Sequence, residues 1–301
     1  MKLGVGLPVS GSWATPDRIL PIAARAEELG YDSLWTFQRL LAPEGLADQY
    51  RSVLDPLLPL AFVAAQTWRI RLGVAVVNLP FLSPVVLAKQ LATLDVLSGG
   101  RVDAGIGTGW QPEEFTATGA SLAERGARVA EYVSVLRTLW TEKRPEHSGR
   151  FYQVPRAEFE PKPEQARVPV LLGGTAPAAL RRAGRIADGW ISSSSATQQD
   201  VAPMIQLIRE GAEEVGRDPE TLRFICRCAV RVREPGRADR RPLSGSFPEI
   251  RGDLERLAEQ GMTEVFLDLN FDPRVGSPDA DPQVSMQVAE ELLDAFSPLR
   301  D

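Results

Sequence analysis

The stretch Val168-Pro169-Val170-Leu171-Leu172-Gly173-Gly174-Thr175-Ala176-Pro177-Ala178-Ala179-Leu180-Arg181-Arg182 reads as a buried strand, a glycine turn and the start of a helix. A helix N-terminus offers unpaired N–H groups and the positive end of its dipole, and glycines let an anion come close to the backbone. The local expectation is therefore a phosphate cradle at Gly173, Gly174 and Thr175. Outward from this unit the same alternation of strand and helix repeats along nearly the whole chain, the pattern of βαβ units around a parallel sheet.

Eight strand and helix pairs can be read. Leu3–Leu7 precedes a helix Pro16–Leu29 with Thr15 as N-cap, and Ser33–Trp35 precedes the apolar segment Leu54–Gln66. Arg71–Val77 leads to Val85–Leu97, which Gly99-Gly100 ends, and Val102–Ile106 leads to a helix Leu122–Trp140. The Pro-rich stretch Glu142–Arg167 is expected to be an insertion with a short hairpin. Then follow Val170–Leu172 with Pro177–Ile186, Gly189–Ile191 with Val201–Val215, the long strand Leu222–Val232 with Glu249–Gln260, and Glu264–Leu269 with Val284–Phe296. Arg233–Pro248 reads as an exposed loop.

Eight pairs without a shift in composition favour one domain, residues 1–301, folded as an α/β (β/α)8 TIM barrel with short insertions. The alternative is a two-domain Rossmann-like chain. It is disfavoured because Gly4-Val5-Gly6-Leu7-Pro8 places proline where a dinucleotide turn needs a helix start.

At 301 residues with 44% hydrophobic and 25% charged content the chain can bury a large core. A net charge of −6 and a pI near 5.2 argue against nucleic acid or an anionic membrane as partner. No apolar run reads as a signal or a membrane span, so a cytoplasmic location is the expectation. Cys226 and Cys228, two apart on a strand, are expected to be reduced core thiols.

In a barrel the active site lies at the C-terminal ends of the strands. The residues there are poor in acids, bases and nucleophiles, and the single histidine, His147, sits in the insertion. No His/Cys cluster has metal-ligand spacing. Such a rim points to chemistry carried by a bound organic cofactor. Gly105-Ile106-Gly107-Thr108-Gly109-Trp110 supports this, because it removes side chains where a flat ring would approach the backbone.

Gly30-Tyr31-Asp32-Ser33-Leu34-Trp35, Leu94 through Val102, Gly105 through Trp110, Arg125-Gly126-Ala127-Arg128 and Leu172 through Trp190 together resemble the luciferase-like flavin and deazaflavin enzymes. The chain is most similar to the F-420-dependent oxidoreductase branch. The resemblance implies a cofactor ring propped by a bulge with a non-proline cis peptide at Ala75-Val76. It further implies Asn78 and Gly107-Thr108-Gly109 along the cofactor, and Gly173-Gly174 with Thr175 at its phosphate. Coenzyme F-420 is the expected cofactor and FMN the alternative. A homodimer is the common assembly of the family.

One departure from the branch is informative. Its alcohol and sugar-phosphate dehydrogenases carry an Asp-His pair after the second strand, where this chain has Gln38-Arg39. They also carry an acid where this chain has Trp110. A base to take a hydroxyl proton is thus missing at both places. The expected reaction is hydride transfer to a small organic substrate, reducing an activated C=C, C=N or C=O. Gln38 or Arg39 would bond the developing charge, and Tyr50, Glu113 or water would supply the proton. A purely structural Arg39 would pair with Glu44 or Asp48 on its own loop. An FMN-dependent monooxygenase and a non-catalytic cofactor-binding barrel are the competing readings.

Overall fold

A computed structural model describes residues 1–195, 200–236 and 238–299. The first half of the chain contains β1 (Lys2–Gly6), α1 (Pro16–Glu28), β2 (Ser33–Thr36), α2 (Leu58–Ala64), β3 (Arg71–Val74), β4 (Val77–Asn78), α3 (Pro84–Ser98), β5 (Val102–Gly107), α4 (Pro112–Thr118) and α5 (Arg125–Thr141). A hairpin of β6 (His147–Ser148) and β7 (Gln153–Val154) follows, as expected of the insertion. The second half adds β8 (Val170–Gly173), α6 (Pro177–Ile186), β9 (Gly189–Ile191), α7 (Ala202–Glu213), β10 (Arg223–Ala229), β11 (Arg231–Val232), β12 (Ser244–Gly245), α8 (Phe247–Glu259), β13 (Glu264–Asp268) and α9 (Pro282–Ala295).

The main sheet runs β3-β2-β1-β13-β10-β9-β8-β5-β4, and β3 also pairs with β5, so the sheet closes on itself. Its pairings are parallel. Since β3 and β4 are two halves of one barrel strand, the fold is a closed eight-stranded (β/α)8 barrel. Between the two halves the register slips. Leu72 and Gly73 face Val102 and Asp103, whereas Val77 and Asn78 face Ile106 and Gly107, so three residues on one strand oppose two on the other. This is a β-bulge, and the Ala75-Val76 peptide within it is cis, at the place the resemblance implied.

Large aromatic side chains fill the middle of the barrel, and glycines on facing strands make room for them. Trp35 and Phe266 stack at 5.0 Å between ring centroids. A Cβ on Gly73 would lie 2.3 Å from the Trp35 ring, and one on Gly4 would lie 2.3 Å from Ser33 Oγ, which accepts the Trp35 indole N–H. Below them the base is closed by charge. Fully buried Asp103 accepts from Arg71 and Arg223, and Arg223 also donates to Glu264. The outward faces of the strands, with Val5, Leu34, Leu72, Ile106 and Leu172, form the main apolar core against the surrounding helices.

Three local readings shift. The second helix begins at Leu58 rather than Leu54, because the Asp55 carboxylate accepts the amides of Leu57 and Leu58 and holds a turn ahead of it. The long strand leaves the barrel at Ala229, and Arg231–Val232 pairs instead with Ser244–Gly245 inside the expected loop. Thr15 stands at the N-cap without bonding a helix amide, and its hydroxyl accepts from Arg18 instead. Cys226 and Cys228 are buried free thiols.

Asp103→Asn would leave two guanidinium groups facing a neutral amide and is expected to cost about 3–5 kcal/mol of unfolding free energy. Burial opposes ionisation of Asp103, but the hydrogen bonds from Arg71 and Arg223 outweigh it and hold its carboxyl below the usual range. The stability it contributes is therefore present above the unfolded-state value, about 3.9, and is lost as pH falls toward the depressed folded value. Denaturant melts at neutral and acid pH should show the wild type losing more stability on acidification than Asp103→Asn. Equal losses would contradict this account of the base.

Candidate active site

A cavity of about 660 Å³ opens at the C-terminal ends of the strands. Most of the residues singled out from sequence line it: Gln38 and Arg39 after β2, Tyr50 further along the same connection, Ala75, Val76 and Asn78 at the bulge, Gly107, Thr108, Gly109 and Trp110 at the end of β5, and Gly173, Gly174 and Thr175 at the end of β8. Ser192 to Ser195 and Arg227 complete it. His147 lies elsewhere, on the hairpin beside Glu131.

The floor is the bulge. Ala75 and Val76 pack with Trp35, Leu171, Ile191, Ile225 and Phe266 as one apolar cluster inside the barrel, presenting a small apolar shelf to the mouth. Arg227 braces it: Nη1 donates to the Ala75 carbonyl at 3.2 Å, while Nε donates to Asp268 at 2.8 Å. Asn78 ties the neighbouring loops together. Its amide N–H donates to Gln38 Oε1 at 2.8 Å and its Oδ1 accepts from the Gly109 amide at 2.9 Å.

The glycines divide by cause. A Cβ on Gly105 would stand 1.9 Å from the Val74 carbonyl oxygen, and one on Gly107 would meet Val76 at 2.4 Å. Those two glycines make room for the bulge. Gly173 differs, because a Cβ there would meet nothing closer than 3.6 Å. Packing does not demand that glycine, and the space it leaves belongs to the cavity. Beside it Gly174 sits at φ +129°, where a side chain is strained. The Trp190 indole holds the turn by donating to the Gly174 carbonyl at 2.8 Å, and Pro177 then starts α6.

Arg39 pairs with neither Glu44 nor Asp48. Its Nη1 donates to Glu114 at 2.7 Å, and both side chains are almost wholly buried, at 5% and 1% exposure. Glu114 also accepts the amides of Leu40 and Leu41, so one carboxylate on α4 fixes the first part of the loop after β2. The Arg39 guanidinium packs against two adjoining rings, 4.8 Å from the Tyr50 centroid and 4.7 Å from that of Trp110. Each such stack is worth about 0.5–2 kcal/mol. Glu113, the acid expected nearer the chemistry, instead bonds Gln111 and is exposed.

Arg227 likewise packs against two adjoining rings, 4.5 Å from Phe37 and 4.2 Å from Phe271, and Tyr50 packs edge-on to both those rings. Burial raises the Tyr50 phenol above its ordinary value against the opposing pull of Arg227 and Arg39. Tyr50 is therefore protonated at neutral pH. Sequence reading missed Glu114 and Arg227. A cue existed for Arg227, since Arg223 and Arg227 interrupt an apolar strand on one face. None existed for Glu114, which meets its partner only through the closed barrel.

A model of the family described as "Luciferase-like monooxygenase" matches residues 2–260, and the chain belongs to this family of oxidoreductases. An uncharacterized protein of Mycobacterium tuberculosis is 30% identical over 281 residues, covering 87% of this chain and 88% of that protein. The F420-dependent glucose-6-phosphate dehydrogenase of Kineococcus radiotolerans is 35% identical over 224 residues, covering 71% of this chain and 64% of that enzyme. The fold matches the monooxygenase RslO1 of Streptomyces bottropensis with a TM-score of 0.82 at 24% identity, each chain covered in full. It also matches an F420-dependent secondary alcohol dehydrogenase solved with an F420-acetone adduct, with a TM-score of 0.76 at 20% identity over 98% of this chain and 99% of the other.

The division of glycines is testable by stability alone. Gly105→Ala is expected to cost about 1–3 kcal/mol through the clash with the Val74 carbonyl, whereas Gly173→Ala should melt within about 0.5 kcal/mol of the wild type. A Gly173→Ala variant as unstable as Gly105→Ala would assign that glycine to packing.

Proposed function

We propose that this chain is an oxidoreductase that binds coenzyme F-420 in the barrel mouth and uses it to reduce a small organic substrate. The observation that carries the reading is the cavity itself, lined by an apolar shelf at the bulge and by a glycine turn whose open side packing does not require. The names of the Kineococcus relative and of its Amycolatopsis mediterranei counterpart, 32% identical over 227 residues, support a deazaflavin over FMN.

The residues fit such a group. Ala75 and Val76 would carry the ring, Asn78, Gly107, Thr108 and Gly109 would follow its edge and chain, and Gly173, Gly174 and Thr175 would hold the phosphate at the start of α6. When bound, a reduced deazaflavin supplies hydride from C5. The chain supplies the rest. Gln38 and Arg39 border the space where an electron-poor carbon would sit, Trp110 covers it, and the neutral Tyr50 phenol holds a proton for the carbon or oxygen left negative. Phe37, Tyr50 and Trp110 limit the water beside it. Oxidation of an alcohol would need a base, and both candidate carboxylates, Glu114 and Asp268, are committed to arginines.

Titration followed by fluorescence should show F-420 binding at least tenfold more tightly than FMN. Tighter FMN binding, with rapid oxygen consumption by the reduced complex, would favour a monooxygenase instead. Tight F-420 binding without hydride exchange on enones, imines or ketones would leave a binding protein. Gly173→Val should keep its melting temperature yet lose at least tenfold in F-420 affinity, and unchanged affinity would remove the phosphate assignment.

The reading includes a cytoplasmic location and a homodimer formed through α2 and α3. Among the described residues no helix is long and apolar enough to cross a membrane. The outer stripes of α2 and α3 expose Leu58, Phe62, Val85, Val86 and Leu97, an apolar face of the kind that marks protein contacts. Light scattering should report a dimer for the wild type and a monomer for Phe62→Glu. A monomeric wild type would refute it.

A further inference from the structure

The cavity carries charge, yet no uncompensated charge. Among the described residues its only charged lining side chains are Arg39 and Arg227. Each is held at 2.7 Å by a carboxylate of 1–2% exposure: Arg39 by Glu114 and Arg227 by Asp268. Each guanidinium also packs against two aromatic rings, so leaving its pair to meet a ligand would break those contacts. A substrate anion entering here would shed its water and gain no free cation in return.

We infer that Glu114 acts as a charge mask that makes the site selective for uncharged, flat, conjugated carbonyl substrates and against their carboxylate or phosphate counterparts. The inference rests on the proposal that this cavity takes substrate, and it adds what kind. The lining includes Phe37, Tyr50 and the half-exposed Trp110, and aromatic side chains favour planar molecules, which stack on them at little entropic cost. The mask explains why the carboxylate is Glu114 on a separate helix. Its Oε1 orders the loop by accepting the Leu40 and Leu41 amides, and its Oε2 pairs with Arg39. The sugar phosphate in the name of the Kineococcus relative is the type of ligand the paired arginines would turn away once the cofactor's own phosphate fills the turn at Gly173 to Thr175. Glu114 is a positioning and specificity residue, since it acts through Arg39.

Methyl cinnamate and the cinnamate anion share shape and conjugation and differ in charge, so calorimetric titration with both at neutral pH reads the effect directly. The wild type should bind the ester at least tenfold more tightly than the anion. In Glu114→Gln the unmasked Arg39 should move that ratio at least tenfold toward the anion, while Arg39→Met combined with Glu114→Gln, again without net charge, should restore the ester preference. A merely structural Glu114 would weaken both ligands alike and leave the ratio fixed. Equal or tighter binding of the anion by the wild type, no binding of either ligand, or an unmoved ratio in a folded Glu114→Gln would each overturn the inference. Should Glu114→Gln fail to fold, loss of the ester preference in the doubly substituted chain would overturn it. F-420 binding is read separately by its fluorescence. F-420 binding without an ester preference defeats this inference alone, and an ester preference without F-420 binding defeats the cofactor reading alone.

Discussion

Three residues on one barrel strand standing opposite two on the next is the constraint from which the mouth of this molecule is built. The extra residue brings both Ala75 and Val76 to the barrel interior, a placement that strict alternation along a strand forbids. Its cost is met on the neighbouring strand. Gly105 must lack a side chain to admit the Val74 carbonyl, and Gly107 must lack one to admit Val76. Beyond the slip Asn78 reaches two loops at once, bonding Gln38 and Gly109. The shelf, the glycine run and the set of the rim loops are thus one feature seen from three sides.

Charge inside the barrel follows a single rule from base to rim. At the base Arg71 and Arg223 surround Asp103 and Glu264; at the rim Arg227 meets Asp268 and Arg39 meets Glu114. A bare ion in such surroundings would cost several kcal/mol, and a close, multiply bonded counter-ion offsets most of that. What these pairs contribute is position. Arg227 spends one of its donors on the Ala75 carbonyl, so the rim pair also fixes the bulge, and Glu114 fixes the loop that carries Gln38. The outcome is a cavity rich in polar groups whose chemistry depends on what binds there, which agrees with the shortage of acids and bases along the strand ends.

How much of this the sequence discloses depends on how local the cause is. The strand at Val170–Leu172, the turn at Gly173-Gly174 and the helix from Pro177 are adjacent in the chain, and each was legible from its own residues. The eight-fold alternation was legible for the same reason, since each unit carries its own apolar face and stop signal. The length of the second helix was not, because Asp55 competes for the amides that would have extended it. The packing role of Gly105 and Gly107 is not legible, because the atoms they admit, the Val74 carbonyl and the Val76 side chain, come from a strand about thirty residues earlier, whose alternation alone predicts no slip. The partner of Arg39 is beyond reach, since the carboxylates on its own loop, Glu44 and Asp48, lose to one delivered by a helix on a different unit.

The central claim is that the shelf at Ala75-Val76 and the turn at Gly173-Gly174 hold the two ends of one deazaflavin. A crystal structure of the protein with F-420 tests it most directly. The ring should lie against Ala75 and Val76, with the phosphate within hydrogen-bond reach of the backbone at Gly174 and Thr175. A ring placed away from the bulge, or a phosphate held anywhere other than the start of α6, would contradict it.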